Sequence, residues 1–407
     1  MKETVLKKYA KLIIKMGVNL KKGQLLVVNA PVESYPLVDA VVEQGYLAGA
    51  KTVLVLWSDI RVTRQSYLNE SEEILTSIPE YVKQRYDYIT EQSYAVVNIS
   101  SSNPSALNGI DPNKQTAVMK ALQPIIAKYR DNAMKSVNQW TIAAYPNQEW
   151  ANKVFPNLNN KQAYKALQDA ILMTSRMSGN PLANWKEHNN NLLKRSQWLN
   201  DLGLQYLHIT SSNGTDLKVY LADTHIWIGG QEKTPKGVLF NPNIPTEECF
   251  TMPHSLKTSG IVYSTKPLSY QGQLIEDFSL TFKEGVVVKY QARVNEASLK
   301  ALLDSDEGSK RIGEIALVPY HSPISESKIL FYQTLFDENA SCHLALGRAY
   351  PTNVVNGEKL SQDGLSKLGA NASINHVDFM IGASDTKIVG YKKDGSQVNI
   401  FINGDWA

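Results

Sequence analysis

With 407 residues, 43% hydrophobic and 20% charged, the chain is longer than one ordinary core needs and has the composition of a globular protein. Its 42 basic residues nearly balance 39 acidic ones, leaving a net charge of +3 with no basic block, so neither nucleic acid nor an anionic membrane is indicated as a partner. No apolar run approaches the roughly 20 residues of a membrane span. The lysine-studded start lacks the apolar heart of a secretory signal, and two cysteines are too few for a disulfide framework, so a cytoplasmic location is expected.

In chain order, residues 3–17 set Leu6, Ala10, Ile13 and Ile14 on one helical face. Gln24–Val28 reads as a buried strand, Tyr35–Ala48 as a helix and Lys51–Trp57 as a second strand. Short connections in this β-α-β unit predict a parallel sheet. A long polar helix over Ser71–Gln92, a strand at Ala95–Ile99, a helix over Asp111–Lys135 and a strand at Trp140–Ala144 extend it. The turn Asn29-Ala30-Pro31-Val32-Glu33-Ser34 has no glycine cradle, so no dinucleotide or P-loop site is visible in this Rossmann-like half.

Helices over Lys161–Met177 and Trp185–Leu202 lead into a strand-rich half. Asn213-Gly214 marks one hairpin turn and Lys283-Glu284-Gly285 another, and Asn295 is a plausible N-cap for a helix of about ten residues. Further strands are predicted at Glu314–Val318, Ile329–Leu335 and Val377–Ile381. The expected fold class is therefore α/β: an N-terminal open α/β sheet domain over residues 1–182, followed by a strand-rich α+β domain over 183–407 that carries the chemistry. No internal repeat or low-complexity segment is present.

Several acids and two histidines fall in or beside apolar strands of this second half, where an uncompensated charge costs several kcal/mol. In His376-Val377-Asp378 the imidazole and the carboxylate share one strand face while Val377, Phe379 and Ile381 take the other. They read as metal ligands or as a structural hydrogen-bonded pair. Glu314 sits among Ile312, Ile315, Leu317 and Val318, as a ligand or as a partner of Arg311. His343 shares a face with Ser341 and Ala345, opposite Cys342, Leu344 and Leu346, and is a ligand or a satisfied half-buried histidine. Glu338 lies at the turn before it, as part of the same site or solvent-exposed. Of the tandem acids Glu247-Glu248, Glu247 is expected to face water. Cys249 and Cys342 point away from the proposed ligands and are expected in the core.

Together these residues form a His/Glu/Asp set without thiolate, which suits Zn²⁺, Co²⁺ or Mn²⁺ in a hydrolytic site. Two ions roughly 3.5–4 Å apart, bridged by a carboxylate, would use this many donors. No Gly-x-Ser-x-Gly elbow and no His-Glu-x-x-His helix is present. His188, His208, His225, His254 and His321 have no acid partner at strand or helix spacing, although His188 near Trp185 is a candidate to line a cleft.

At these residues the chain resembles a known family. Pro245-Thr246-Glu247-Glu248-Cys249-Phe250-Thr251, Gly313-Glu314-Ile315-Ala316-Leu317-Val318, Asn339-Ala340-Ser341-Cys342-His343-Leu344-Ala345-Leu346-Gly347-Arg348-Ala349-Tyr350 and His376-Val377-Asp378-Phe379-Met380-Ile381-Gly382 resemble the thermophilic-type metalloaminopeptidases of peptidase family M29. The resemblance extends to the Trp185–Asn200 helix and, more loosely, to the N-terminal half. It places Glu248, Glu314, His343, His376 and Asp378 on the family's metal ligands and Tyr350 on its active-site tyrosine, the plainer reading of Tyr350 being packing beside Gly347. Glu338 falls in the matching Asp-Glu-Asn-Ala segment, as a further ligand or the general base. The resemblance implies two divalent metal ions per subunit, removal of N-terminal residues from peptides, and a homodimer enclosing the active site. The runner-up is a metal-binding or small-molecule-binding protein without peptidase activity. A non-peptide metallohydrolase is a third reading.

Overall fold

The structure, a computed structural model, describes residues 1–101 and 103–407. The chain forms two compact units, Met1–Asn190 with Gly230–Thr246, and Asn191–Gly229 with Glu247–Ala407. Among the described residues no helix is long and apolar enough to cross a membrane.

The first unit is an open α/β sheet. Leu25–Pro31 (β1), Thr52–Ser58 (β2), Tyr94–Ser100 (β3) and Gln139–Ala144 (β4) pair in parallel, in the order β4-β3-β1-β2, and the short segment Asn243–Ile244 adds itself in parallel beyond β4. The alternation in β1 explains why helices cover both faces. Leu26 and Val28 bury with Leu12, Leu37 and Val41 on one side, and Leu25 and Val27 bury with Ile89 and Val96 on the other.

The helix predicted over Ser71–Gln92 is two helices, Glu72–Thr76 and Glu80–Glu91. Pro79 directly precedes the second in an extended conformation, and a proline cannot continue the hydrogen-bond ladder of the first.

The second unit is strand-rich, as expected, and consists of two sheets. The larger runs Leu268–Tyr270, Gln273–Lys283, Ser259–Tyr263, Asp216–Tyr220, Leu204–Thr210, Lys387–Lys392, Gln397–Ile402, Asp405–Trp406, with Val286–Val294 also paired to Gln273–Lys283. The smaller is antiparallel throughout and runs His376–Met380, His343–Gly347, Ile312–Leu317, Cys249–Thr251, Ile228–Gly229. One apolar core joins them. Leu207, Val219, Phe278 and Ile388 of the larger sheet bury with Cys249, Ile315, Leu344, Leu346 and Phe379 of the smaller. The rings of Phe278 and Phe379 meet with centroids 5.6 Å apart. Both cysteines lie in this unit's interior, and burial pushes each thiol up to about 12.

Two further expectations are corrected. No strand forms over 329–335; short helices at Pro323–Glu326 and Thr334–Asp337 flank an irregular loop instead. Asn295 precedes the helix Glu296–Leu303 but does not cap it with its side chain. It sits at φ 56°, and its amide donates to the Leu274 carbonyl at 2.6 Å.

Candidate metal centre

The smaller sheet has one apolar face in the core and one face that gathers the acids and imidazoles. Glu314, Ala345 and Asp378 stand directly opposite one another on three neighbouring strands, and Gly347 stands opposite His376. His343 opposes Ala316, and Ala316 opposes Phe250, which puts Glu248, two residues before Phe250, on the same side. Small residues fill the middle of this face, so Ala345 leaves room between two carboxylates. Gly313 and Gly347 tighten its margin. A Cβ on Gly313 would lie 2.3 Å from the Gly347 carbonyl oxygen, and Gly347, at φ 107°, would meet the Asn375 carbonyl oxygen at 2.3 Å. The register shifts at Gly313, between Ile312 and Glu314.

On this face Glu314 lies between two imidazoles. Its Oε1 is 3.8 Å from His343 Nε2 and its Oε2 is 3.5 Å from His376 Nε2. His343 Nε2 lies 3.0 Å from Glu248 Oε2, and His376 Nε2 lies 3.6 Å from Asp378 Oδ1. Two three-residue clusters result, Glu248/Glu314/His343 and Glu314/His376/Asp378, each with ligand atoms within 4.8 Å of one another. Each imidazole is oriented from behind. His343 Nδ1 contacts the Ser341 carbonyl oxygen at 3.0 Å, and His376 Nδ1 contacts that of Arg348 at 2.6 Å. A carbonyl only accepts, so each Nδ1 carries a proton, and each Nε2 is the nitrogen turned toward the carboxylates.

Whether this set fits divalent cations can be judged from its donors. Four carboxylates, including Glu338, and two oriented imidazole nitrogens converge, with no thiolate. Asp378 Oδ1 is buried and accepts no hydrogen bond from any described residue. At 3.6 Å from His376 it is also beyond hydrogen-bond reach of that ring, so the simple structural pair is not formed. Arg311 does not neutralise the acids either; its Nη1 donates to the Ser255 and Glu284 carbonyls. The set fits hard-to-borderline divalent ions.

Glu338 is buried beside this cluster, not solvent-exposed. Burial, then the negative charges of Asp378, Glu248 and Glu314, push its pKa well above the usual carboxylate range. For His343, burial pulls the pKa down, but the Glu248 hydrogen bond and the charges of Glu248 and Asp378 outweigh it, and the net shift is upward. Both shifts express an excess of negative charge that a proton or a metal cation would offset. Tyr350 borders the cluster: its ring meets His376 with centroids 4.8 Å apart and Phe250 at 6.0 Å.

Glu247, expected in water, is buried. Its backbone N–H donates to Asn339 Oδ1 at 2.7 Å, which draws the whole Glu247–Glu248 segment inward. Sequence reasoning passed over Asn339, whose amide also donates to the Leu335 carbonyl at 2.9 Å and to Glu338 Oε1 at 3.4 Å. It also passed over Asp337, whose carboxylate accepts from the N–H groups of Phe331 and Gln333, each at 2.9 Å; burial pushes its pKa up to about 6. The unbroken polar run Asp337-Glu338-Asn339 was the available signal. Two histidines have acid partners after all. His208 pairs with Asp216 across a hairpin at 2.7 Å and His321 pairs with Asp405, both on exposed surface. His188 bonds the Thr246 carbonyl at 2.7 Å and stands edge-on to Trp185.

Comparisons with known proteins give the chain its family. The family model described as thermophilic metalloprotease (M29) matches residues 2–406. The chain is 43% identical over 406 residues to aminopeptidase 2 of Geobacillus stearothermophilus, covering 100% of this chain and 98% of that protein. It is 42% identical over 400 residues to aminopeptidase AmpS of Bacillus subtilis, covering 98% of this chain and 97% of that protein. Among solved structures, wild-type AmpT from Thermus thermophilus superposes with a TM-score of 0.89 at 36% identity, covering 100% of this chain and 99% of the other. A 2,5-dihydroxypyridine dioxygenase from Pseudomonas putida, at TM-score 0.51 and 11% identity, shares the fold alone. Full-length matches at this identity, on a chain whose sheet face gathers an acid and imidazole cluster, place it: the chain belongs to the M29 family of thermophilic metalloproteases.

Proposed function

We propose that this chain is an aminopeptidase that holds two divalent cations, zinc, cobalt or manganese, and removes N-terminal residues from peptides. The observation that carries the two-ion reading is Glu314, whose two oxygens face different imidazoles. Glu248 and His343 complete one position and His376 and Asp378 the other, with Glu314 common to both. The aminopeptidase activity rests on the relatives, which carry that name at 43% and 42% identity over nearly their whole length. They leave no observation in favour of an idle binding protein. The reading extends to a homodimer and to the cytoplasm, on the family resemblance and the sparse cysteines.

Divalent ions bound here supply Lewis acidity toward a peptide carbonyl and a water that ionises near pH 7. The chain's own groups do the rest. The Nδ1 bonds to Ser341 and Arg348 hold the two imidazoles in the tautomer that leaves Nε2 free. Glu338, buried among three other carboxylates, is the group suited to take a proton from water and pass it to the leaving amine, unless it serves as a further ligand. Tyr350, beside His376, presents a phenol that donates a hydrogen bond to the oxyanion of the attacked carbonyl. The acidic face attracts a protonated N-terminal amine, which favours the end of a peptide over its interior.

A paired assay tests the reading. A short peptide with a free N-terminus should lose residues one at a time when divalent metal is present, and chelation should stop the reaction. The same peptide acetylated at its N-terminus should stay intact. Equal cleavage of both peptides would overturn the exopeptidase assignment.

A further inference from the structure

Asp306 does not face the acid cluster, yet it fixes the chain that enters it. Its Oδ1 accepts from Ser309 N at 2.8 Å, Ser309 Oγ at 2.7 Å and Ser373 Oγ at 2.8 Å, and its Oδ2 accepts from Ile374 N at 2.6 Å. Asn375 closes the knot, donating from its backbone to Ser373 Oγ at 3.0 Å and from its amide to Ser309 Oγ at 2.7 Å. The two segments touch so closely that a Cβ on Gly308 would lie 1.8 Å from the Ala372 carbonyl oxygen. From there the hydrogen bonds lead directly to an imidazole. The Asn375 carbonyl accepts from Arg348 N at 2.7 Å, and the Arg348 carbonyl accepts from His376 Nδ1 at 2.6 Å.

The other half of the centre has separate supports. Glu247–Glu248 is held by Asn339, and His343 by the Ser341 carbonyl. Among the described residues, neither of these two hydrogen bonds involves Asp306. The two halves are thus anchored by different residues although they share Glu314.

We propose that Asp306 is a positioning residue for one half of the centre only, setting the direction in which the Ser373–Asn375 segment delivers His376 and Asp378. The proposal rests on the two-cation reading given above. Partial burial pushes the Asp306 pKa up, but hydrogen bonds from Ile374, Ser309 and Ser373 outweigh it and bring it below the usual carboxylate value, so the charged acceptor persists at neutral pH. Replacing the carboxylate by an amide leaves one oxygen for the Ser309 and Ser373 donors and turns an NH₂ toward Ile374 N–H. The grip on Ile374 is then lost while the cluster's own donors are unchanged.

The experiment is a Co²⁺ titration of the chelated, full-length protein, followed by calorimetry and visible absorption, with Glu248→Gln marking the step that belongs to the other half. Wild type should bind two ions. Asp306→Asn should weaken, by tenfold or more, the step that Glu248→Gln spares, with the remaining step within about threefold of wild type. Turnover of Asp306→Asn should recover in excess Co²⁺. A loss shared equally by both steps would mark Asp306 as a general stabiliser and overturn the proposal, as would unchanged binding. Should Asp306→Asn fail to fold, Ser373→Ala decides alone: a loss confined to that same step supports the proposal, and unaltered binding overturns it. A wild-type protein that takes up a single ion overturns the two-cation reading itself, and the proposal with it.

Discussion

The ring of Tyr350 meets the imidazole of His376 edge to face, with centroids 4.8 Å apart and planes at 74°. This packing needs the ring and not its hydroxyl. Tyr350→Phe is therefore expected to keep the fold and the metal content of the wild type. Its turnover should fall by about 10²–10³, the usual cost of losing one oxyanion donor. Metal per subunit and kcat on a free-amine peptide, measured side by side, check this; unchanged kcat would leave Tyr350 as packing alone.

Glu314 and Asp378 should differ in how many ions they affect. Asp378→Asn removes charge from one cluster, so at limiting metal one ion should be lost and activity should fall, with partial rescue by excess Co²⁺ or Zn²⁺. Glu314→Gln touches both clusters, and uptake of both ions should weaken. In metal-free protein the sign reverses. Removing the charge of a carboxylate whose buried Oδ1 accepts no hydrogen bond from any described residue relieves repulsion, so the melting temperature of chelated Asp378→Asn should equal or exceed that of chelated wild type. Elemental analysis and melts with and without metal report all of these outcomes.

Ala345 is buried and stands opposite both Glu314 and Asp378, so its size sets the room between them. Ala345→Val should cost about 1–3 kcal/mol by overpacking and should weaken uptake of both ions. A chemical melt combined with a metal titration separates the two effects. Destabilisation with full metal affinity would show that the space at Ala345 is not needed for the ions.

Asp385 supplies a pH test away from the cluster. Its carboxylate accepts from Ser212 N and Ser211 Oγ, each at 2.7 Å, and these bonds, the Ser212 contribution foremost, lower its pKa to about 2. A carboxylate with a depressed folded pKa stabilises above its unfolded value near 3.8, and that contribution is lost as pH falls toward 2. The group is exposed, so solvent reduces the effect to about 1 kcal/mol. Asp385→Asn should trail wild type by that amount at pH 7, and the gap should narrow below pH 4. A gap that stays constant across this range would show that ionisation is not its source.

The alternation of side chains made much of the site legible. Period two in His376–Ile381 and in Ser341–Leu346 assigned polar and apolar faces that the registers reproduce. The same reasoning failed at 329–335, where an apolar run belongs to no strand. Tyr332 lies at φ 54°, outside the extended region of a regular strand, and Phe331 buries by stacking on Phe336 at 4.5 Å. Asp337 takes the N–H groups of Phe331 and Gln333 that a ladder would otherwise use. The polar run that begins at Asp337 is the one local sign of this, and period-two counting over 329–335 stops short of it. Glu247 was misplaced because the Asn339 amide that draws it in is 92 residues away. The pairs His208–Asp216 and His321–Asp405 depend on a hairpin and on an 84-residue separation, distances at which spacing rules are silent.

The return of Gly230–Thr246 to the first unit has a consequence for biosynthesis. Asn243–Ile244 covers the outer edge of β4, and the one backbone N–H of Asn241 is shared between the Met16 and Gly17 carbonyls at 3.1 and 2.8 Å. A nascent chain must therefore emerge from the ribosome to about Thr246 before its first sheet can close, well after the four main strands have been made. Until then β4 offers a bare strand edge to any neighbouring polypeptide. Fragments cut at Asn190 keep that edge permanently, and sticky, poorly recovered N-terminal halves are the outcome to expect from dissecting this protein at its apparent seam.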